Sequence, residues 1–364
     1  MSSSNIGQIG HFLIGVPGSG KSTFARQLAR VTGGAIVSTD RIRAQLFGDE
    51  AIQGDWRAIE AEAIAQIRAT VRDRRPVIYD ATNAKRCWRI EMLHKLADLD
   101  VLWMAWYLTP PLSRCQQFNR QRDRQVPDAV IEAFYRSLRR FPPTDAEGFV
   151  RVCRFVPEED EAMLQGSRFA IASFVRQELD RLPQAIARRR QRQEAIAPHL
   201  YSHSIDFERL MYAIAALAEA SHSPLNRPQT VERLTRRVAS DASPFYADPE
   251  AIARDLEWIQ STHLFDRQRQ PIAFQVPEIG DRGRSFLPHP YSDVSSFRRL
   301  MQTIRYLLFE SSEVLETCTF KELFSRVKKA RVETSFHHFR QDVQQVIRPY
   351  RIVTPLPFPP RRVV

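Results

Sequence analysis

Residues Gly15 to Thr23 read GVPGSGKST, and no other run constrains this chain as strongly. The run follows an apolar stretch, His11 to Ile14, and leads into an amphipathic one, Ser22 to Val31. That is G-x-x-x-x-G-K-S in the order strand, glycine loop, helix, the setting in which the pattern has chemical meaning. Glycines let successive backbone N–H groups converge on a phosphate, and the helix starting near Lys21 adds the positive end of its dipole. Gly15, Gly18, Ser19, Gly20, Lys21, Ser22 and Thr23 are therefore candidate nucleotide-binding residues. Lys21 is placed for β- and γ-phosphates, and the Ser22 hydroxyl for Mg²⁺. ATP and Mg²⁺ are the expected cofactors. A plain glycine-rich turn with a solvated lysine is the alternative, and the flanking strand and helix weigh against it.

The rest of the first part fits a doubly wound α/β domain. Apolar runs at 11–16, 35–38, 76–80 and 101–108 read as buried parallel strands. Helical patterns at 21–32, 55–73 and 86–98 alternate with them, and Gly33 and Gly34 stand where a helix C-cap is expected. A further helix is expected over 127–140, and a last strand within 147–156. Such alternation predicts a parallel sheet covered on both faces.

At 364 residues with 43% apolar side chains, the chain is long enough for further domains with cores of their own. After Gly166 the texture becomes helical. Pro183 interrupts it, and four arginines fall within Arg188 to Arg192, suited to phosphates or to a solvated helical linker. From about residue 203 a repeat emerges. FERLMYAIAAL (207–217) resembles FRRLMQTIRYL (297–307), TVERLTRRV (230–238) resembles TFKELFSRV (319–327), and IARDLEWIQ (252–260) resembles FRQDVQQVI (339–347). Each copy is a three-helix pattern, and PIAFQV (271–276) is a candidate β-wing after the first. The order resembles a winged helix-turn-helix in two tandem copies. The expected organisation is a P-loop domain over 1–166, a basic helical linker over 167–202, and winged-helix-like repeats over 203–277 and 278–364, the last with a proline-rich tail.

Net charge is +11, which suits a polyanionic partner without requiring one. The four cysteines, Cys87, Cys115, Cys153 and Cys318, lack CxxC or Cys/His ligand spacing, so a reducing compartment and no structural zinc are expected. No apolar run reaches about 18 residues, and the polar start MSSSN runs into the first strand. A cytoplasmic chain without a signal peptide or membrane span is expected.

Ligands gather beyond the carboxyl ends of strands in a doubly wound sheet, which singles out three segments. STDRIR (38–43) ends the second run. There Asp40 is a candidate base for a hydroxyl, and Arg43, one helical turn on, could hold an anionic substrate. The plainer reading is an N-cap aspartate with a surface arginine. YDATN (79–83) ends the third run; Asp80 stands where an acidic group meets Mg²⁺, and Asn83 is a candidate to orient a phosphate or a loop. A turn-forming D-x-x-N competes with that reading. FNRQRDRQVP (118–127) carries Arg120, Arg122 and Arg124 between two helices, as a lid over a triphosphate would, or as a solvated charge cluster.

Together, GVPGSGKST, STDRIR, DATN and NRQRDRQVPDAVIEAFYRSLRRF ending in EGF resemble the phage-type polynucleotide 5′-kinase family over residues 8–156. The resemblance implies Lys21 and Ser22 as phosphate and magnesium residues, Asp40 as general base, Arg43 on the acceptor's phosphate, and Arg122 as a catalytic lid arginine. Where the family often has Arg-Asn, this chain has Phe118-Asn119, leaving Arg120 or Arg114 to supply a second lid arginine. No D-x-D-x-T occurs, so a 3′-phosphatase is not expected. The implied partner is a DNA or RNA 5′-hydroxyl. Nucleotide-binding residues are then Gly15 to Thr23, Arg120 and Arg122; acceptor-binding residues Arg43, Asp80 and Asn83; metal-binding residues Ser22 and Asp80. In the C-terminal repeats, the third helix of copy one is acidic (Asp248, Glu250, Asp255, Glu257). That of copy two offers His337, His338, Arg340, Gln341 and Gln344 for nucleic acid, or for docking a protein. Two rival readings are a P-loop kinase for a small molecule and an ATP-sensing nucleic-acid-binding regulator.

Overall fold

The computed structural model describes residues 8–50, 52, 54–122, 124–156, 167–221, 230–266, 276–278 and 289–356. The chain forms two compact units, Met1–Arg192 and Gln193–Val364. No helix among the described residues is long and apolar enough to cross a membrane.

The first unit is α/β. Its strands are β1 (Gln8–Ile14), β2 (Ala35–Ser38), β3 (Val77–Asp80), β4 (Val101–Leu108) and β5 (Arg151–Phe155), all parallel in the order β2-β3-β1-β4-β5. The helices are α1 (Lys21–Thr32), α2 (Thr39–Phe47), α3 (Trp56–Arg72), α4 (Arg86–Lys95), α5 (Leu112–Arg120), α6 (Asp128–Arg140), α7 (Ser167–Asp180) and α8 (Leu182–Glu194). The period-two alternation of the strands builds two core layers. Phe12, Ile14, Tyr79 and Trp103 pack with Ile59, Ala63 and Ile67 of α3 on one face. Leu13, Ile78, Met104 and Trp106 pack with Phe24 and Leu28 of α1 on the other. Gly33, left-handed at φ 70°, ends α1 with its N–H on the Ala29 carbonyl, as its position in the sequence implies. Ile171, Val175 and Leu182 join the second layer, so α7 and the start of α8 help to build the sheet unit although the sequence reads as a linker there.

One buried arginine ties the far side of this unit together. Arg89 lies on the apolar face of α4 with no solvent exposure. It forms a two-pronged ion pair with Glu147 at 2.6 and 2.8 Å and donates to the carbonyls of Asn83, Ala84 and Phe141. Every donor of the guanidinium is used, which is what a buried charge requires. The loop after β3 is thereby fixed to the segment before β5.

The second unit is helical among its described residues. Copy one supplies α9 (Ser204–Ser221), α10 (Val231–Asp241) and α11 (Pro249–Ser261). Copy two supplies α12 (Val294–Phe309), α13 (Ser312–Thr317), α14 (Phe320–Lys329) and α15 (Phe336–Asp342), and residues 222–229, between α9 and α10 of copy one, lie outside the described residues. A π turn, Val343–Ile347, continues α15. All but Val276 of the expected wing strand lies outside the described residues.

The duplication reaches further upstream than the helices. HLYS (199–202) and HPYS (289–292) precede the two copies, and they interlock. The His199 ring donates to the Tyr291 carbonyl at 3.0 Å, and the His289 ring to the Tyr201 carbonyl at 2.8 Å. Ser202 Oγ donates to the Ser292 carbonyl at 2.6 Å and Ser292 Oγ to that of Ser202 at 3.4 Å. Reciprocal pairs of this kind are the signature of a two-fold arrangement, here within one chain. Equivalent buried ion pairs, Arg209–Asp255 at 2.6 Å and Arg299–Asp342 at 3.1 Å, join the first and third helices of each copy. Asp255, expected on the acidic outer face of α11, is therefore an internal structural residue.

Replacing one partner of a buried ion pair strands the other's charge, at a cost of about 3–5 kcal/mol. Glu147→Gln is thus expected to lower the urea stability of the first unit by an amount of that order, read by tryptophan fluorescence. Exposed Glu132→Gln is expected to change it by less than about 0.5 kcal/mol.

Candidate active site

A cavity of about 880 Å³ opens over the carboxyl ends of the strands. Its floor is the glycine loop. Gly18 is left-handed at φ 77°, and a Cβ there would come 2.0 Å from the Cys115 carbonyl oxygen of α5, so only glycine fits. A Cβ on Gly15 would meet Ser19 Oγ at 2.6 Å. Gly20 caps α1, and the exposed Ser22 and Thr23 in its first turn line the cavity.

Ser19 Oγ is buried without a hydrogen-bond partner. Lys21 folds back and donates to the Val16 carbonyl at 2.8 Å. Burial pulls its ammonium down from the ordinary 10.5 to about 8; the Asp80 and Asp40 carboxylates oppose the fall and Arg122 adds to it. An unused buried hydroxyl, a desolvated lysine and a helix N-terminus around one loop fit a bound phosphate chain.

The register pairs Ser38 with Asp80, so the ends of β2 and β3 lie side by side. Asp80 is buried, and desolvation raises its pKa, while Lys21 and a hydrogen bond from Ser22 pull it down. A hydroxyl and a carboxyl in contact beside the loop are hard oxygen ligands suited to Mg²⁺ shared with a phosphate. Asp40, in the first turn of α2, faces the same cavity. Its Oδ1 accepts from Arg43 at 2.7 Å and from Arg124 at 2.9 Å.

The arrangement separates residues that the sequence grouped together. Arg120 does not line the cavity; it pairs with Asp128 at 2.8 Å on the exposed side. Arg122 does line it, and Arg124, two residues on, crosses to Asp40. In an irregular lid, residues two apart need not share a side, and spacing alone does not decide which one turns inward. Asn83 lines the cavity, but its amide donates to the Leu13 carbonyl at 2.7 Å. It thus ties the β3 loop to β1, with a left-handed φ of 50°, as the loop-orienting alternative for this residue expects. Arg114 lines the cavity too, 5.2 Å from the centre of the Phe118 ring.

Residues 11–141 match the family model AAA_33, described as an AAA domain. Among solved structures, the chain is similar to one in the Pnkp1/Rnl/Hen1 RNA repair complex at 26% identity and a TM-score of 0.34, covering 38% of this chain and 46% of that one. It is also similar to a gluconokinase from Sinorhizobium meliloti 1021 at 19% identity and 0.31, covering 47% and 95%. A shikimate kinase from Acinetobacter baumannii, in complex with shikimate, matches at 16% identity and 0.35, covering 50% and 98%. The chain thus spans less than half of the repair-complex chain it matches. None of the curated proteins matches it.

The lowered Lys21 pKa is expected to make ATP binding pH-dependent. Between about pH 8 and 10.5 the folded, ATP-free chain binds fewer protons than the unfolded one. Burying the charged lysine therefore costs stability in full below pH 8, and this cost fades as pH rises to 10.5. A triphosphate binds the charged form, so ATP affinity is expected to fall about tenfold per pH unit above pH 8. Calorimetric titration between pH 7 and 9.5 checks this, and Lys21→Met is expected to flatten the profile.

Proposed function

We propose that this chain is an ATP- and Mg²⁺-dependent polynucleotide 5′-hydroxyl kinase. The observation that supports it best is the pairing of Asp40 with Arg43 opposite the glycine loop, in one cavity with Lys21, Ser22 and Arg122. A hydroxyl acceptor needs a proton acceptor beside the triphosphate, and an acceptor with a neighbouring phosphate needs a cation beside that base. One turn of α2 carries both.

The loop amides, Ser19 and Lys21 hold the β- and γ-phosphates of ATP. Ser22 and Asp80 would hold Mg²⁺, which would neutralise phosphate charge. Asp40 takes the proton of the 5′-hydroxyl as its oxygen bonds to the γ-phosphorus, and the bond from that phosphorus to the β–γ bridging oxygen breaks to release ADP. Arg43 binds the phosphate next to the reacting nucleoside. Arg122 lies against the transferring group, where positive charge lowers the barrier. Arg124 holds the Asp40 carboxylate and joins the lid to α2.

A contact to nucleic acid by the second unit is part of the same proposal. His337, His338 and Gln344 are exposed along α15 and its continuation, with Arg340 and Gln341 half-buried beside them. Exposed Lys321, Lys328, Lys329 and Arg331 lie on or just beyond α14. A small-molecule acceptor is the second reading. Glu60 and Glu91, held by Lys95 at 2.8 and 2.7 Å, line the same cavity, and carboxylates bind sugar hydroxyls well.

Two variants test the reading. Asp40→Asn is expected to retain ATP binding and lose about 10²-fold or more in kcat. Arg43→Ala is expected to raise KM for acceptors bearing a phosphate next to the reacting nucleoside, and to spare those without one. Near-normal turnover by Asp40→Asn contradicts the base assignment. Equal losses on both acceptor classes with Arg43→Ala favour the small-molecule reading.

A further inference from the structure

The segment that carries Arg122 and Arg124 is closed at its base by one side chain. Asn119, in the last turn of α5, is 1% exposed. Its amide nitrogen donates to the Val126 carbonyl at 2.7 Å, and its amide oxygen accepts from the Val126 N–H at 3.0 Å. Its own carbonyl accepts from the Arg122 N–H at 3.2 Å. Two further ties run beside this clasp: Gln125 Nε2 donates to the Arg120 carbonyl at 3.1 Å, and Arg120 pairs with Asp128. Asn119 also borders the glycine loop, where a Cβ on Gly18 would lie 3.2 Å from its nitrogen. One residue thus touches the phosphate loop, the arginine segment and the point to which that segment returns.

We propose that Asn119 is a positioning residue that presets Arg122 for the terminal phosphate of a nucleoside triphosphate. The inference rests on the ATP part of the proposed function and is independent of the acceptor. Residues 120–125 carry Arg120, Arg122 and Arg124. An arginine on an open segment loses backbone and rotamer freedom when it meets a phosphate, and that loss subtracts from affinity. Closing the segment in advance removes the backbone part of the loss. A packed apolar side chain at 119 could fill the same space, but it would leave the register of the segment open. The amide bonds both main-chain groups of one residue, so it fixes which residue returns to α5. That register sets Arg122 in the cavity, where Lys21 feels its charge, and Arg124 on Asp40. An aspartate at 119 has the same shape but would set a carboxylate oxygen against the Val126 carbonyl, so it cannot serve in its place.

The test is calorimetric titration of the full chain with ATP and with ADP, both in Mg²⁺. Under the proposal Arg122 meets the phosphate that ADP lacks, so the wild-type chain is expected to bind ATP more tightly than ADP. Asn119→Ala is expected to cut that preference about tenfold or more, as loss of a hydrogen bond to a charged group does, with the Kd for ADP nearly unchanged. In an Arg122→Ala chain, adding Asn119→Ala is expected to change the preference by less than about twofold, because the two residues act as one. Equal weakening of ATP and ADP by Asn119→Ala overturns the proposal, since it marks general damage to the glycine loop. So does a preference that Asn119→Ala leaves intact, or a loss that multiplies with that of Arg122→Ala. Should Asn119→Ala fail to fold, Asn119→Asp is measured in its place, with the same outcomes. Two results need no variant. Equal Kd values for ATP and ADP in the wild-type chain overturn the proposal, and so does a Val126 N–H that exchanges in the ATP-free chain as fast as in an unstructured one. An oligonucleotide that takes no phosphate overturns the polynucleotide reading and leaves this one standing; a chain that binds neither nucleotide overturns both.

Discussion

The site depends on a backbone approach that only glycine permits. At Gly18 the loop passes so close to the Cys115 carbonyl that no side chain fits, and its φ is one that L-residues avoid. The contact clamps the loop to α5, the helix that carries Arg114 and Phe118 and leads into the lid. Loop and lid therefore share one anchor, and the loop position fixes where the lid arginines can begin. The Gly15 N–H donates to the Thr82 carbonyl at 3.1 Å, and Asn83 reaches back to Leu13, so the β3 loop is anchored to the same point. Arg89 then secures that loop from behind.

Asp40 concentrates the functional charge. It receives two guanidinium groups from opposite directions, one from its own helix and one from the lid. Arg43 is local and costs little to position. Arg124 lies 84 residues away in the chain, so its bond to Asp40 records how the lid folds over α2. Both arginines stay within reach of any phosphate brought to Asp40, and arginine binds phosphate as readily as it binds carboxylate. Under the proposed function, the same cluster would hold the base in place and receive the acceptor's charge.

The inner sheet was legible in the sequence because β1, β3 and β4 carry short apolar runs buried on two faces and each turn carries its own signal. The runs at 35–38 and 101–108 match β2 and β4 to the residue. The glycine loop was legible because its chemistry is local. What escaped was long-range. Nothing in the spacing of Arg120, Arg122 and Arg124 says that the first pairs outward with Asp128 and the third inward with Asp40. Asn83 reads as a residue for a phosphate or for a loop, and only the fold shows that its amide meets a carbonyl on a neighbouring strand. Asp255 reads as a surface acid because α11 is acidic; its partner Arg209 lies in the helix repeat itself, at the position that Arg299 holds in copy two. The matching HLYS and HPYS segments are short and precede the helices, so a search on helical periodicity passes over them.

The central claim is that the γ-phosphate of ATP moves to a nucleic-acid 5′-hydroxyl. It is tested most directly by incubating the full chain with γ-labelled ATP, Mg²⁺ and an oligonucleotide bearing a 5′-hydroxyl, beside the same oligonucleotide already 5′-phosphorylated and a panel of free sugars. The account predicts label at the 5′ end of the first acceptor alone, removable by a phosphatase. Label on a sugar, with none on the 5′-hydroxyl oligonucleotide, would contradict it.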